Sequence, residues 1–199
     1  MRKVLNVGGN SKEIPLPIEY RGWDHLPLDI DPRGNPDICC DARKLDTLAP
    51  AQFDAVYCSH NLEHYCRHDG KRVLAGFLHV LKLDGFVHIR VPDLDQVFKE
   101  VMSLGLDVDD VLYDSPAGPI LVRDVVYRWS LEIKRSGNEF SCHKTGFAPK
   151  SLQGFLSNVG FKYLYMLVAN LEIGVYALAQ LSSTYARVLL DLSDDAVVV

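Results

Sequence analysis

Four short apolar runs in this chain each end in residues able to hold a small polar ligand. Val4-Leu5-Asn6-Val7 ends in Gly8-Gly9-Asn10. Leu28 leads into Asp29-Ile30-Asp31-Pro32. Ile38-Cys39-Cys40 ends in Asp41-Ala42, and the run Phe53 to Cys58 ends in Ser59-His60-Asn61. Gly8 and Gly9 would let the backbone approach a ligand with no Cβ in the way, and Asn10 can take a left-handed turn conformation. The G-x-G-x-x-G fingerprint is missing, because the run continues Ser11-Lys12-Glu13, and this argues against NAD or FAD. Asp29 stands 21 positions after Gly8 and can accept hydrogen bonds from both hydroxyls of a ribose. Asp31 is its rival, or part of a turn through Pro32, Gly34 and Pro36. Asp41 can accept from an exocyclic amine while the Ala42 N–H donates to a ring nitrogen, a pair that reads adenine; the competing reading makes Asp41 an N-cap. Ligands of open parallel sheets bind outside the carboxyl ends of the strands. The ligand expected from this order is a nucleoside, held by Gly8, Gly9, Asn10, Asp29, Ile30, Asp41, Ala42 and Ser59.

Two histidines are candidates for proton transfer, His60 at the fourth strand end and His143 farther along. For each, a structural role competes with the catalytic one. His60-Asn61-Leu62-Glu63-His64 also contains H-x-x-E-H, the inverted zinc-protease pattern. On a helix His60 and His64 would share a face, as two zinc ligands must. The motif directly follows a buried-strand pattern, however, which places His60 in a turn, and no third ligand stands out downstream. No metal is expected, and His64 reads as a hydrogen bond tying a helix start to the sheet. A zinc hydrolase using His60, Glu63 and His64 stays as the lesser alternative.

Holding these residues at one edge requires strands at about 3–7, 27–30, 37–40, 53–58, 85–91, 161–168 and 173–180. Helices are expected at about 62–82, broken near Asp69-Gly70, then at 93–104 and 149–158. Strands alternating with helices predict a parallel sheet with helices on both faces, and the unbroken apolar character of 53–58 suits a strand buried on both sides. Residues 11–27 contain Pro15, Pro17 and Pro27, which leave little room for the helix that normally follows the first strand. Residues 105–148 are too long for a simple connection and carry Tyr113, Arg123, Tyr127, Arg128, Trp129, Lys134, Arg135, Cys142 and His143. This segment is expected to be a lid or substrate-binding insertion.

At 199 residues the chain suits one domain with a substantial core. A net charge of -5 lacks the basic footprint of non-specific nucleic-acid binding. Five cysteines, an odd number with no Cys-x-x-Cys, read as reduced thiols of a cytoplasmic protein. Tyr163 to Leu181 is apolar with Glu172 as its single charge, but Asn170, Glu172 and Gly174 read as a turn between two buried strands and not as part of a membrane span. The tail 191–199 has no assignment.

These motifs resemble those of the class I S-adenosylmethionine-dependent methyltransferases, and most closely a group of small ones with an L-N-L-G-C-G opening and an S-H-x-L-E-H segment. Here the corresponding residues are Leu5-Asn6-Val7-Gly8-Gly9-Asn10 and Ser59-His60-Asn61-Leu62-Glu63-His64. Val80-Leu81-Lys82-Leu83-Asp84-Gly85 stands for V-L-K-P-G-G, followed by Ile89-Arg90-Val91-Pro92-Asp93, His143-Lys144-Thr145-Gly146-Phe147 and Val159-Gly160-Phe161. The resemblance spans about residues 3–180. The family's final glycine in the first motif is Asn10 here, and Asp84 replaces a glycine. The resemblance implies an α/β fold: a Rossmann-like, doubly wound, mostly parallel seven-stranded sheet with an antiparallel C-terminal hairpin. It implies S-adenosylmethionine as cofactor and methyl transfer to a small-molecule acceptor, with a non-catalytic cofactor-binding protein as the alternative. Neither nucleic acid nor membrane is expected as a partner, and a homodimer is compatible with the sequence.

Overall fold

In the computed structural model the described residues are 1–116, 118–128, 137, 140, 142–180 and 197–198. Strands β1 (Lys3–Val7), β2 (Asp24–Asp29), β3 (Ile38–Cys39), β4 (Phe53–Ser59) and β5 (Leu81–Pro92) come first, with helix α1 (Arg67–Val80) between β4 and β5. Helix α2 (Leu94–Leu104), a hairpin β6 (Val111–Ser115) and β7 (Gly118–Leu121), and the short helix α3 (Val122–Tyr127) follow. Helix α4 (Pro149–Ser157), β8 (Tyr163–Ala169) and β9 (Glu172–Leu178) close the main fold. The large sheet has the order β10-β8-β9-β5-β4-β1-β2-β3, where β10 is the two-residue Val197–Val198 at the edge. The expected seven strands are therefore all present. Strands β1 to β5 run parallel, β9 joins β5 antiparallel, and β8 pairs antiparallel with β9.

Alternation along the strands decides the layers, because successive side chains point to opposite faces. In β4, Phe53, Val56 and Cys58 enter the larger core, packed with Val73, Leu74 and Phe77 of α1 and Leu152 and Phe155 of α4. Ala55 and Tyr57 point the other way, into a smaller core with Val4, Phe86 and Tyr176. This second face is closed by the proline-rich segment after β1, through Leu16, Tyr20 and Trp23, where helices were expected on both faces. Between β1 and β2 the only helical turn is the 3-10 turn Ile18–Tyr20, as Pro15 and Pro17 predict. Tyr20 meets Trp23 edge-on with centroids 5.4 Å apart, so aromatic area does the covering that a helix would otherwise do.

Two boundaries differ from the expectation. The break in the 62–82 helix lies at Tyr65-Cys66, between the 3-10 turn Leu62–His64 and α1. Gly70 sits buried inside α1, because a Cβ there would come within 3.1 Å of the Phe155 ring; it is a packing residue and not a breaker. Strand β5 begins at Leu81, and the Asp84-Gly85 turn survives as an irregularity in its pairing, where the register on β4 shifts between Phe53 and Ala55.

All five cysteines are free thiols. Tyr163 to Leu178 forms the β8–β9 hairpin, and no helix among the described residues is long and apolar enough to cross a membrane. Of the 105–148 insertion, Trp129, Lys134 and Arg135 lie outside the described residues, as does the 191–199 tail apart from the backbone of Val197–Val198.

Candidate functional site

The carboxyl ends of β1, β2, β3 and β4 converge on one cleft of ≈ 760 Å³, within the usual range for a small-molecule site. Six of the eight sequence-derived ligand-binding residues line it: Gly8, Asn10, Asp29, Ile30, Asp41 and Ala42. His60 lines it too. Gly9 and Ser59 are not in its wall; Gly9 instead leaves room for Asn6, whose side chain would lie 2.1 Å from a Cβ at that position.

The first loop turns because Gly8 takes φ +78° and its N–H donates to the Leu28 carbonyl at 2.8 Å. A Cβ on Gly8 would come 2.4 Å from Asn61 Nδ2, so the β1 and β4 loops pack through that glycine. Asn10 has φ +43°, the left-handed region that asparagine tolerates, so the residue standing in place of the family's glycine keeps the turn. Its side chain rests on Gly34, and the Oδ1 atoms of both Asn10 and Asn61 are buried without a hydrogen-bond partner.

The two aspartates of the second loop separate cleanly. Asp31 caps the turn Pro32–Gly34 and chelates Arg33 through both carboxylate oxygens, and this guanidinium holds its carboxyl down at about 2. Asp29 uses Oδ1 to accept the Asp31 N–H at 2.9 Å, and Oδ2 has no partner among the described residues. In the third loop Asp41 is the N-cap of the 3-10 turn Ala42–Thr47, and it also binds the Arg43 guanidinium through both oxygens. The cap reading of Asp41 therefore holds, and its carboxyl is lowered chiefly by the hydrogen bond from Arg43.

His60 sits in a strained turn at φ +47°, tied by its N–H to the Arg90 carbonyl at 2.9 Å. Its Nε2 is 2.8 Å from Glu172, and its Nδ1 is 3.6 Å from Glu63. Burial alone would lower its pKa, but the carboxylates of Glu172 and Glu63 outweigh that and raise it to about 9. The ring therefore holds its proton at neutral pH. His143 lies behind the cleft wall, in a small neighbouring cavity, with Nδ1 donating to the Val125 carbonyl at 3.0 Å. His60 and His64 do not share a helical face, since the first is in the turn after β4 and the second in the 3-10 turn that follows.

Several site residues were quoted in the sequence only as members of a motif or of the insertion, or not at all, and were given no role of their own. Arg128, Phe140 and Lys144 bring the insertion to the cleft. Asn61 covers Gly8. Glu172 binds both His60 and, at 2.6 Å, Arg90 Nε. The signal for Glu172 was present as the single charge in an apolar run, where a lone carboxylate at a strand start needs a partner.

Known proteins can now be set beside this geometry. A family profile described as a methyltransferase domain matches residues 19–89. A search of curated proteins gave no match. Among solved structures, a Pyrococcus horikoshii protein superposes with TM-score 0.61 at 15% identity, covering 90% of this chain and 83% of its own. An S-adenosylmethionine-dependent methyltransferase from Archaeoglobus fulgidus gives TM-score 0.52 at 16% identity, over 88% of this chain and 85% of that one. A Burkholderia thailandensis 1,6-didemethyltoxoflavin N1-methyltransferase, crystallised with its substrate and S-adenosylhomocysteine, gives 0.52 at 15% identity, over 88% and 71%.

Proposed function

We propose that this chain is a class I S-adenosylmethionine-dependent methyltransferase, a reading supported by its fold and by the methyltransferase-domain match over residues 19–89, and that it methylates a small anionic acceptor bound between the cleft and the 105–148 insertion. The observation that carries the acceptor class is the charge of that wall. Arg128, Lys144 and His60 all face the cleft, and neither Arg128 nor Lys144 has a carboxylate partner among the described residues. Arg128 is half-buried, and a half-buried cation without a counter-ion favours an acidic ligand, to which the exposed Lys144 adds a second positive charge.

The cleft suits the cofactor on three counts. The free Oδ2 of Asp29 is placed to accept from a ribose hydroxyl. The unpartnered Oδ1 atoms of Asn10 and Asn61 are acceptors awaiting a donor, as an amino-acid ammonium would supply. The Ala42 N–H opens a helical turn, where backbone donors are left over for a ring nitrogen.

The cofactor supplies an electrophilic methyl group on a sulfonium, with a neutral sulfide as leaving group. The protein's task is then mainly to bring the nucleophile into line, which is a proximity effect. His60, protonated and held between Glu172 and Glu63, acts in this reading as a positioning cation and not as the base at neutral pH. His143 has an unprotonated Nε2, but this nitrogen faces Glu63 from behind the wall. An acceptor that arrives as an anion needs neither residue as a base. The insertion is read as the acceptor side of the pocket.

Calorimetric titration with S-adenosylhomocysteine should give saturable binding. Transfer of a tritiated methyl group should then favour carboxylate acceptors over their neutral amides. Arg128→Ala and Lys144→Ala should raise the acceptor KM while leaving the affinity for S-adenosylhomocysteine unchanged. A consistent preference for neutral or cationic acceptors would overturn the acceptor class.

A further inference from the structure

Two motifs of the sequence meet in space at the edge of the cofactor cleft, where His64 is part of the wall and Glu63 and His143 lie behind it. The turn Leu62–His64 carries Glu63 and His64, and the segment entering α4 carries His143. Backbone bonds lock the pair together: the N–H groups of Lys144 and Thr145 both donate to the Glu63 carbonyl, at 2.8 and 3.2 Å. The side chains then converge, and one donor atom each from Glu63, His64 and His143 lies within 4.8 Å of the others.

From this juxtaposition we propose that Glu63, His64 and His143 form a binding site for a divalent transition-metal ion, zinc being the best match to the donor set. Two imidazoles and one carboxylate are a common zinc triad, leaving one position for a water or a further ligand. Donors bound at about 2.0–2.1 Å around a tetrahedral zinc stand roughly 3.4 Å apart. His143 Nε2 is 3.9 Å from Glu63 Oε1, so closing this pair on an ion takes a contraction of only ~0.5 Å.

Two observations point to a ligand beyond the clustering itself. Glu63 is 1% exposed, and neither carboxylate oxygen has a hydrogen-bond partner among the described residues. A buried carboxylate in that condition is costly unless a cation meets it. Moreover, the Val125 carbonyl can only accept, so the proton of His143 sits on Nδ1 and the Nε2 lone pair is turned toward Glu63. An imidazole held this way by a backbone carbonyl is the usual outer support of a metal ligand. The site differs from the H-x-x-E-H reading of the sequence, because His60 is committed to Glu172 and His143 takes its place.

Two groups oppose the ion. Arg128 Nη1 stands 3.5 Å from His64 Nε2, at the outer limit of a hydrogen bond, and has to move aside if that nitrogen is the ligand. His60 Nδ1, 3.6 Å from Glu63 Oε1, offers the rival explanation that Glu63 is only a counter-ion. The two explanations differ in what metal does to the protein. An ion here would bridge the turn after β4 to the exit of the insertion and so stabilise the chain; a counter-ion pair would not respond.

The test starts from full-length protein stripped by chelator and titrated with Zn²⁺ and, separately, Co²⁺, in the absence of cofactor. One equivalent should bind. The Co²⁺ form should show visible ligand-field bands without a thiolate charge-transfer band, which separates this site from adventitious capture by the exposed Cys39. Zinc at a hundredfold above Kd should raise Tm by about 5–10 °C. His143→Asn, whose amide can still donate to Val125 from the Nδ1 position, and Glu63→Gln should each weaken binding by at least about 10-fold, the lower end of what an outer partner alone costs. X-ray absorption on zinc-loaded unmutated protein reports two imidazoles and no sulfur even if a variant fails to fold. Sub-stoichiometric metal, sulfur ligation or unaltered binding in folded variants would overturn the site. Because cofactor is absent throughout, the methyltransferase reading stands or falls separately.

Discussion

Gly8→Ala tests how the cofactor loop is built. The residue has φ +78°, a conformation that costs an L-residue about 1–2 kcal/mol. The new methyl would also stand 2.4 Å from Asn61 Nδ2 and 2.8 Å from its Cγ, so the asparagine must leave its seat. Forcing such a contact typically costs about 1–3 kcal/mol. The single variant should therefore lose about 2–5 kcal/mol in urea denaturation. In an Asn61→Ala background the Nδ2 and Cγ contacts are gone, the Cβ at 3.0 Å needs only a small shift, and mainly the backbone cost of about 1–2 kcal/mol remains. The double-mutant cycle should thus show a coupling of about 1–3 kcal/mol between two residues 53 positions apart. Equal costs of Gly8→Ala in both backgrounds would refute the packing of the two loops through this glycine. Asn61→Ala alone should also weaken S-adenosylhomocysteine binding by about 1–3 kcal/mol, the worth of a buried acceptor that found its donor.

Asp29→Ala should reduce cofactor affinity by about 1.5–3 kcal/mol, whereas Asp31→Ala, whose carboxylate is already committed to Arg33, should act mainly on the turn; calorimetry showing the larger loss at Asp31 would reverse the assignment. Gly76→Ala should destabilise the protein by about 1–2 kcal/mol despite its better helix preference, because the added methyl would stand 2.7 Å from Leu45 Cβ; a stabilised variant would count against tight packing of α1 on the Ala42–Thr47 turn. His88 is buried among Glu19, Tyr20, Tyr57, Arg90 and Tyr176, and burial first, then Arg90, lower its pKa to about 3. Since the folded value lies below the unfolded one, its contribution is complete above about pH 6.5 and is lost as pH falls toward 3. At pH ~4.5 the loss should reach ~2–3 kcal/mol, and denaturation profiles of His88→Gln parallel to the unmutated protein over that range would contradict it.

The sequence by itself determined the strands and the edge at which they act. Apolar runs with polar ends make strand termini, and a parallel sheet gathers such termini on one side, which is why Gly8, Asn10, Asp29, Ile30, Asp41, Ala42 and His60 meet in one cleft. Pro15 and Pro17 likewise excluded a helix after β1, because proline lacks the N–H that a helix interior needs. What the sequence left open were choices between neighbours with the same chemistry. Asp29 and Asp31 are equivalent on paper, and only the position of Arg33 decides that one is occupied and the other free. His60 looks like a base until Glu172, 112 residues away, closes on its Nε2 and holds the proton there. Glu63 and His143 lie 80 positions apart, and two hydrogen bonds to one carbonyl bring them together. Protonation, pairing and ligation depend on distances of a few ångströms between remote segments, and those distances exist only once the sheet has set its strands in order.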